Sequence, residues 1–445
     1  MRHLARALVI TAAAVFGIST AASAQGFSAP VIKPKPWSRV SVFTNSSDTK
    51  VDNGTSSTFT EVTTAFAYQL PDTDDNGADY GLDLRYTDSS IAMRPNRLSI
   101  YEAFIGARLG DGRARVRVGH LWLTDLGSLG SIAGGVFEVK QPRLLPEDGR
   151  WRVGAFGGLE PSILDTGYAP NVQKFGSYVA YDGANARRHS VGYIMVRNGS
   201  MTERSVVAAS NFLPIRRKFY LYQAGEYNVQ PPAGQGDRGL AYLFSNARVN
   251  PVSRLELQAT YNRGRSVDAR GIIANLTEGR PLTQASIDGL LYSSVGGRVT
   301  VEVVPRVHIY GGYSQDKNNR DAEPTGRTLV GGYASNVFKS GFDVSGSDNL
   351  MKRSTGDYHS RYVSLGHQIG RRIYTTVDYT TSLSVVRFSR SDGITIESRP
   401  HTARYSGTAT INVTRTVSIL ATLDRTDQDD VHELRVLSGL TYRIR

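Results

Sequence analysis

Apolar and polar residues alternate with a period of two along almost the whole chain from about residue 38 onward. In residues 371–386, one parity carries Ile373, Val377 and Leu383, and the other carries mainly threonine, serine and aspartate. Segments 252–262, 296–304 and 433–445 repeat the pattern. Because successive side chains of a strand lie on opposite faces, the pattern predicts strands of about 10 to 14 residues, each with one apolar and one polar face. No segment has the period of an amphipathic helix, so we predict an all-β fold.

The connections between these strands alternate in length. Tight turns are predicted at 109–113, 249–253, 303–307, 369–372 and 412–416, and longer polar loops at 263–286, 315–327 and 389–401. Short turns at one end of a sheet and longer loops at the other are typical of an up-and-down antiparallel barrel.

The segment GRARVRVGHLWL, residues 112–123, indicates which face of such a barrel meets lipid. In a strand, its three arginines share one face, whereas Val116, Val118 and Trp122 lie on the other. An arginine that faces lipid near the middle of a bilayer costs about 2 to 4 kcal/mol. We therefore predict that the arginines face a water-filled lumen and that the apolar side chains face lipid or its interface.

The N-terminal residues predict export. MRHLAR is a short basic region, ALVITAAAVFGI is an apolar stretch too short to span a bilayer comfortably, and Ala22–Ser23–Ala24 offers a cleavage site. We predict a signal peptide at 1–24, a proline-rich periplasmic tether at 25–37 and a barrel at 38–445. No later stretch approaches about 18 consecutive apolar residues, so no transmembrane helix is expected.

With this signal peptide, these alternating strands and these alternating connections, the chain resembles bacterial outer-membrane β-barrel proteins of the porin-like kind. The resemblance is to an architecture, without a specific family. It implies an up-and-down antiparallel transmembrane β-barrel of about 22 strands, with a range of 18 to 22, in the cell outer membrane. An even count requires residues 134–141 to form a strand. Such barrels usually end in an aromatic residue that the barrel-assembly machinery reads; here Leu440, Tyr442 and Ile444 are the expected substitute.

Composition narrows the chemistry. The chain has 45 glycines, 23 tyrosines and no cysteine. The absence of cysteine excludes thiolate zinc sites, iron–sulfur clusters and covalent haem attachment to this chain. The mean hydropathy of −0.29 is compatible with a membrane barrel, because half of its strand residues face a polar lumen. A soluble sandwich or propeller with solvated outer faces is the alternative fold.

The formal net charge is +12. Because the chain is exported, we expect no nucleic-acid partner and relate the charge to anionic solutes or lipid phosphates. Two interpretations of the charged residues on the predicted lumenal face stay open: they form a field that selects anions, or they form a ladder of paired charges that stiffens a water-filled wall. The arginine excess favours a mild anion preference. The candidate pore-lining residues are Arg113, Arg115, Arg117, Arg254, Glu256, Arg298, Glu302, Arg306, Asp378, Arg404, Glu433 and Arg435.

Residues 72–83, DTDDNGADYGLD, match most of an EF-hand calcium loop. Asp72, Asp74 and Asn76 take the first three ligand positions, and Asp83 stands where a bidentate glutamate is usual. Because strands rather than helices flank the segment, an acidic Asn-Gly hairpin turn is the alternative. Calcium is thus a candidate ligand, and no other cofactor is predicted.

Catalytic motifs give little support for an enzyme. The sequence has no GxSxG, HExxH or Walker A motif, and its histidines are scattered. The leading hypothesis is a porin-like channel for passive passage of small polar or anionic solutes. A barrel of about 22 strands is wide and usually plugged, so one alternative is a sheath that holds a partner in its lumen, such as a multihaem cytochrome or a lipoprotein. A purely structural barrel is a third hypothesis. The glycine-rich segment 126–135 is expected either to fold inward and constrict the pore or to form a plain loop.

Overall fold

The computed structural model describes residues 37–445 except 70–76, 92–95, 124–125, 127–129, 142–148, 163–165, 184–185, 216–217, 231–237, 267, 284–288, 320, 322, 354, 390–394 and 445. The predicted signal peptide, and the predicted tether up to residue 36, lie outside the described residues. The candidate ligands Asp72, Asp74 and Asn76 lie outside them as well.

The described chain folds into one antiparallel sheet of 22 strands that closes on itself, because β1 pairs with both β2 and β24. This confirms the predicted all-β barrel and its upper strand count. The strands are β1 (Trp37–Val51), β2 (Ser56–Gln69), β3 (Gly77–Ser89), β4 (Arg97–Leu109), β5 (Ala114–Trp122), β6 (Ser131–Lys140), β7 (Arg150–Pro161), β8 (Tyr168–Asp182), β9 (Arg188–Asn198), β10 (Met201–Ile215), β11 (Phe219–Gln230), β12 (Gly239–Val252), β13 (Leu255–Ser266), β14 (Leu290–Val304), β15 (Val307–Asn318), β16 (Thr325–Val337), β17 (Phe342–Arg353), β18 (Gly356–Ile369), β19 (Ile373–Ser384), β22 (His401–Asn412), β23 (Val417–Gln428) and β24 (Val431–Ile444).

Both ends of the barrel chain lie at one rim, because the strand count is even. We name this the chain-end rim and the other the far rim. The five predicted tight turns all lie at the chain-end rim, and the three predicted longer loops all lie at the far rim. Segment 134–141 forms β6, the strand on which the even count depends.

Two elements interrupt the far-rim loops. Strands β20 (Val386–Ser389) and β21 (Thr395–Ser398) form a separate hairpin between β19 and β22. Helix α1 (Ala269–Thr277) lies between β13 and β14, where the sequence predicted no helix. The Asp268 side chain caps it by accepting a hydrogen bond from the Gly271 N–H at 2.9 Å. The prediction was wrong here because a helix of nine residues is too short to establish a clear amphipathic period. No described helix is long and apolar enough to cross a membrane.

Alternation along each strand gives the wall an apolar outer face and an inner face that carries most of the charged and hydroxyl groups, with apolar residues among them on β4–β10. In β5, Arg115 is 7% exposed, whereas Val116, Val118 and Trp122 are 38%, 57% and 48% exposed. The same alternation places valines, leucines and isoleucines on the outer face of the other strands. Within β5, the two faces predicted from residues 112–123 are therefore confirmed, whereas Arg113 lies in the turn before the strand; the apolar outer face suits a barrel that spans a bilayer.

Some inner aromatic rings lie over glycines of the neighbouring strand. Tyr310 on β15 is the register partner of Gly331 on β16. A Cβ atom built on Gly331 would stand 2.6 Å from the Tyr310 hydroxyl and 2.5 Å from the Gly346 carbonyl oxygen. Glycine is thus required at residue 331 because the ring occupies the space that a side chain needs.

Candidate permeation pathway

Nine of the twelve predicted pore-lining residues lie within strands, on the inner face. In each strand they alternate with the exposed apolar residues of the outer face. The strand register places them on the same face of the sheet as buried charged residues such as Asp79 and Glu138. These nine are Arg115, Arg117, Glu256, Arg298, Glu302, Asp378, Arg404, Glu433 and Arg435.

The other three, Arg113, Arg254 and Arg306, lie in tight turns of the chain-end rim. They therefore border the opening instead of lining the wall. Arg306 has a φ of 73°, and its N–H donates to Glu302 Oε1 at 2.9 Å. Arg113 and Arg306 also fall within the predicted tight turns 109–113 and 303–307; a period-of-two count continues through such a turn, and the turn prediction was the correct one.

One buried carboxylate gathers three arginines near the chain-end rim. Asp79 on β3 is 2% exposed. Its oxygens lie 3.0 Å from Arg108 Nη2, 3.3 Å from Arg115 Nε and 2.7 Å from Arg117 Nε. The register of β3, β4 and β5 brings these residues together, because Gly77 pairs with Arg108 and Arg108 with Arg115. Arg115 and Arg117 of the 112–123 segment are thus held by an acid that lies within the predicted calcium motif.

A second buried carboxylate extends this cluster along the wall. Glu138 on β6 accepts hydrogen bonds from Arg152 Nη1 and from the Tyr178 hydroxyl, both at 2.8 Å. Lys140 Nζ lies 3.8 Å from Glu138, and Arg152 Nε donates to Asp182 at 2.6 Å.

We call the cations of this region the cationic belt. Among the described residues, its seven members face four carboxylates, Asp79, Glu102, Glu138 and Asp182, so the formal excess is three positive charges. The belt lies on the inner face near the chain-end rim and consists of Arg108, Arg115, Arg117, Lys140, Arg150, Arg152 and Arg188.

An apolar cluster covers the same side of the wall, across β4–β10. It contains Leu121 of β5 and Ile132 of β6, which are 1% and 0% exposed. Leu126, from the glycine-rich segment between these strands, is 1% exposed and belongs to this cluster. Leu126 Cδ2 would stand 2.6 Å from a Cβ atom built on Gly192, an inner-face residue of β9. At Leu126, the segment therefore packs against the inner wall, as the inward-folding alternative predicts.

Helix α1 lies against β10, three strands from the strand that leads into it. Its Ile272 and Ile273 are 2% and 6% exposed. On β10 the inward-facing Val206 is 1% exposed, whereas Val207 on the outer face is 37% exposed. The residues that bury Val206 therefore lie on the inner side of the wall, where α1 contacts β10.

The inner wall of β12–β19 has tyrosines beside carboxylates. Arg248 and Glu256 form an ion pair at 2.8 Å, and the Arg298 guanidinium lies 4.2 Å from the centre of the Tyr310 ring. The Tyr362 hydroxyl donates to Asp378 at 2.9 Å. Four of the predicted pore-lining residues in this part of the wall thus have a polar or aromatic partner: Glu256, Arg298, Glu302 and Asp378.

The remaining inner wall, from β22 through β24 to β2, is rich in hydroxyl groups. Thr408 and Thr422 are hydrogen-bonded at 3.1 Å. Arg404 donates to Asp424 at 2.9 Å, and Arg435 donates to Glu433 at 3.3 Å. Arg404 and Arg435 are thus each paired with an acid, whereas Arg39 and Arg443, which are register partners on the inner face, add two further cations near the chain-end rim.

The predicted calcium ligands are only partly described. Asp83 lies within β3, pairs in register with Ala67 and Glu102, and has Arg85 Nε 4.0 Å from its carboxylate. Gly77 already begins β3, so residues 77–83 form strand. Among the described residues, no group of three or more acidic or histidine side chains is placed to hold a metal ion. The calcium hypothesis remains a prediction that depends on residues 72–76.

Sequence reasoning did not identify the acids that organise the cationic belt. Asp79 lies 29 and 38 residues from Arg108 and Arg117 in the chain, so only strand register unites them. A usable signal was present, because Glu138 and Lys140 alternate with Phe137 and Val139 in β6 in the same way as the arginines in β5.

No protein-family model matches the sequence, and the curated proteins give no significant match. Solved structures with a similar fold include the translocation pore of the P pilus usher PapC, at 10% identity and a TM-score of 0.48, covering 92% of this chain and 99% of that chain. OccK7 (OpdD) of Pseudomonas aeruginosa is 10% identical, with a TM-score of 0.41 and coverage of 92% and 99%. OccAB4 of Acinetobacter baumannii has the same identity, score and coverage. The barrel's own strand pairing and side-chain alternation therefore carry the functional interpretation.

Proposed function

We propose that the chain forms a passive channel in a bacterial outer membrane for small polar solutes, with a preference for anions. The closed sheet leaves no strand edge in the lipid, and the outer apolar face fits hydrocarbon while the inner face is polar. The observation that carries the preference is the cationic belt, with three positive charges in excess among its described residues. Fixed charges on a pore wall raise the local concentration of counter-ions.

The constriction is assigned to Leu126 and to α1. Both come from far-rim connections and cover the β4–β10 side of the wall, so solutes would enter along the hydroxyl-rich side and meet the cationic belt near the chain-end rim. This arrangement predicts a pore displaced from the barrel axis.

Planar-bilayer recording of the purified chain in a salt gradient tests the proposal. Discrete conductance steps with a zero-current potential of the sign for anions are expected. Arg117→Gln together with Arg188→Gln should shift that potential toward the value for cations. Arg361→Gln is the matched control, because Arg361 lies on the outer face of β18 and is paired with Asp348 at 3.2 Å. Absence of conductance refutes the channel, and cation selectivity refutes the anion preference.

A second candidate function is a sheath around a lumenal partner, and the 22-strand count favours it because barrels of that size usually contain a plug. A multihaem cytochrome or a lipoprotein would suit this role. The two functions differ in the purified barrel: a channel gives resolved steps, whereas an emptied sheath gives a very large unregulated leak. Haem absorbance in the complex extracted from native membranes would support the cytochrome.

A further inference from the structure

A row of polar side chains crosses the outer face of β10, β11 and β12. Asn211 pairs in register with Gln223, and Gln223 pairs with Ser245. Asn211 shares its parity with Val207, which is 37% exposed, and not with the inward-facing Val206. We call Asn211, Gln223 and Ser245 the outer amide row.

The row lies at the centre of the apolar band. On β11, Gln223 is midway between Phe219 and Tyr227, outer-face aromatic residues of the kind that mark the two interfaces of a membrane barrel. At about 3.3 Å per residue, each aromatic residue is about 13 Å from Gln223 along the strand. On β10, Asn211 has Ala209 and Leu213 as its outer-face neighbours.

Lipid alone is a poor environment for these side chains. Asn211 Nδ2 donates to Gln223 Oε1 at 3.2 Å, which uses one donor and one acceptor of the two carboxamides. Within the described part of the chain, no further hydrogen bond involves either side chain. Hydrocarbon offers no partner for the remaining donors and acceptors, and such polar groups cost free energy when they are left unsatisfied.

The outer face of β14, β15 and β16 differs from that of β10–β12 because apolar side chains dominate it. On β14, β15 and β16 the outer side chains include Val299, Ile309 and Val330, which are 45%, 54% and 56% exposed. Around the outer amide row, Ala209 and Gly225 are register partners and Ala247 lies on the adjoining strand, so one side of the row has small residues, whereas Leu213, Leu221 and Tyr261 are its larger outer-face neighbours. Small residues let two membrane surfaces approach closely, and polar side chains then bond across the contact.

We infer that the outer face of β10–β12 packs against the same face of a second copy of this chain. A two-fold axis along the membrane normal keeps every residue at its depth, so the amide row of one copy meets that of the other. Carboxamides are self-complementary, because each carries donors and acceptors, and an isologous contact requires this of its central residues. The inference is independent of what passes through the barrel.

Cysteine crosslinking tests this contact directly, because the natural chain has no cysteine. Ala209→Cys places a thiol on the outer face beside Asn211. Ala421→Cys is the matched control: it is an outer-face alanine between Ile419 and Leu423 on β23, halfway round the 22-stranded barrel. Oxidation of each variant in outer membranes and in purified form should give a covalent dimer for Ala209→Cys and a monomer for Ala421→Cys.

The mass of the detergent-solubilised protein supplies a second readout that needs no disulfide. Wild type is expected to have the mass of two chains, and the double variant Asn211→Leu, Gln223→Leu that of one. Leucine suits the lipid-facing surface, so the double variant should still fold, and heat-modifiable gel mobility verifies this. A monomeric wild type, equal crosslinking at both cysteines or crosslinking of Ala209→Cys to a different protein would overturn the inference.

Discussion

Replacing Asp79 with asparagine is expected to destabilise the barrel strongly. Asp79 is 2% exposed, and three guanidinium groups lie within 3.3 Å of its carboxylate. Asparagine removes the charge and turns an NH2 group toward donors that need an acceptor. Loss of one partner from a buried ionic cluster typically costs about 3 to 5 kcal/mol, because the remaining charges stay buried without compensation.

Denaturant-induced unfolding from lipid vesicles measures this cost. Of the three tryptophans, Trp151 lies at the chain-end side of β7 next to Arg152, so its fluorescence reports on the relevant part of the wall. Asp79→Asn should lower the free energy of unfolding by about 3 to 5 kcal/mol. It should also increase anion selectivity, because the excess charge of the cationic belt rises by one.

Asp48→Asn serves as the control. Asp48 pairs with Lys50 at 3.7 Å, and their side chains are 41% and 70% exposed. Exposed pairs contribute little, so this substitution should change stability by no more than about 0.5 kcal/mol. A loss below about 1 kcal/mol for Asp79→Asn would refute the view that this acid is required to hold the arginines in the wall.

Three further outcomes are expected. Leu126→Ala should remove the side chain that packs against the inner wall and raise single-channel conductance in planar bilayers without loss of the folded barrel on heat-modifiability gels; unchanged conductance would contradict a constricting role. Gly331→Ala should destabilise the barrel by about 1 to 3 kcal/mol in vesicle unfolding, because its Cβ meets the Tyr310 ring and the Gly346 carbonyl, whereas Gly311→Ala, where a Cβ would have no heavy atom within 4 Å, should not destabilise it. In the β20–β21 hairpin, the hydrogen bond from Arg399 holds the pKa of Glu397 below its ordinary value of 4.5. The stability that this pair contributes is therefore present above the unfolded-state pKa and is lost as pH falls through the folded-state pKa. NMR titration of Glu397, with Arg399→Gln as the control, checks the direction of the shift.

The barrel could be predicted from the sequence because its signals are local. Alternation in segments such as 371–386 specifies both the strand and its two faces, and glycine or proline near the tight turns marks the strand ends. The strand at 134–141 followed from the parity of the count and not from its own pattern. The assignment of faces from alternation fails at turns, so Arg113, Arg254 and Arg306 were predicted to be wall residues.

The candidate pathway was less predictable because its parts are united by register. Asp79 belongs to a segment that resembles a metal loop, yet the sheet places it among arginines of β4 and β5. The burial of Leu126 depends on side chains contributed by strands as distant as β9. The helix α1 was missed because its contact lies on β10, outside any sequence window that covers residues 269–277.

The pairing of β1 with β24 restricts how a barrel of this kind can change its width. Removal or insertion of a single strand would carry one terminus to the opposite side of the membrane and reverse the direction of every strand beyond it. A hairpin can be gained or lost without that penalty, since the seam can reseal with the same strand polarity. Changes of bore in such proteins should therefore come in steps of two strands, and hairpin deletions should be tolerated where single-strand deletions prevent insertion.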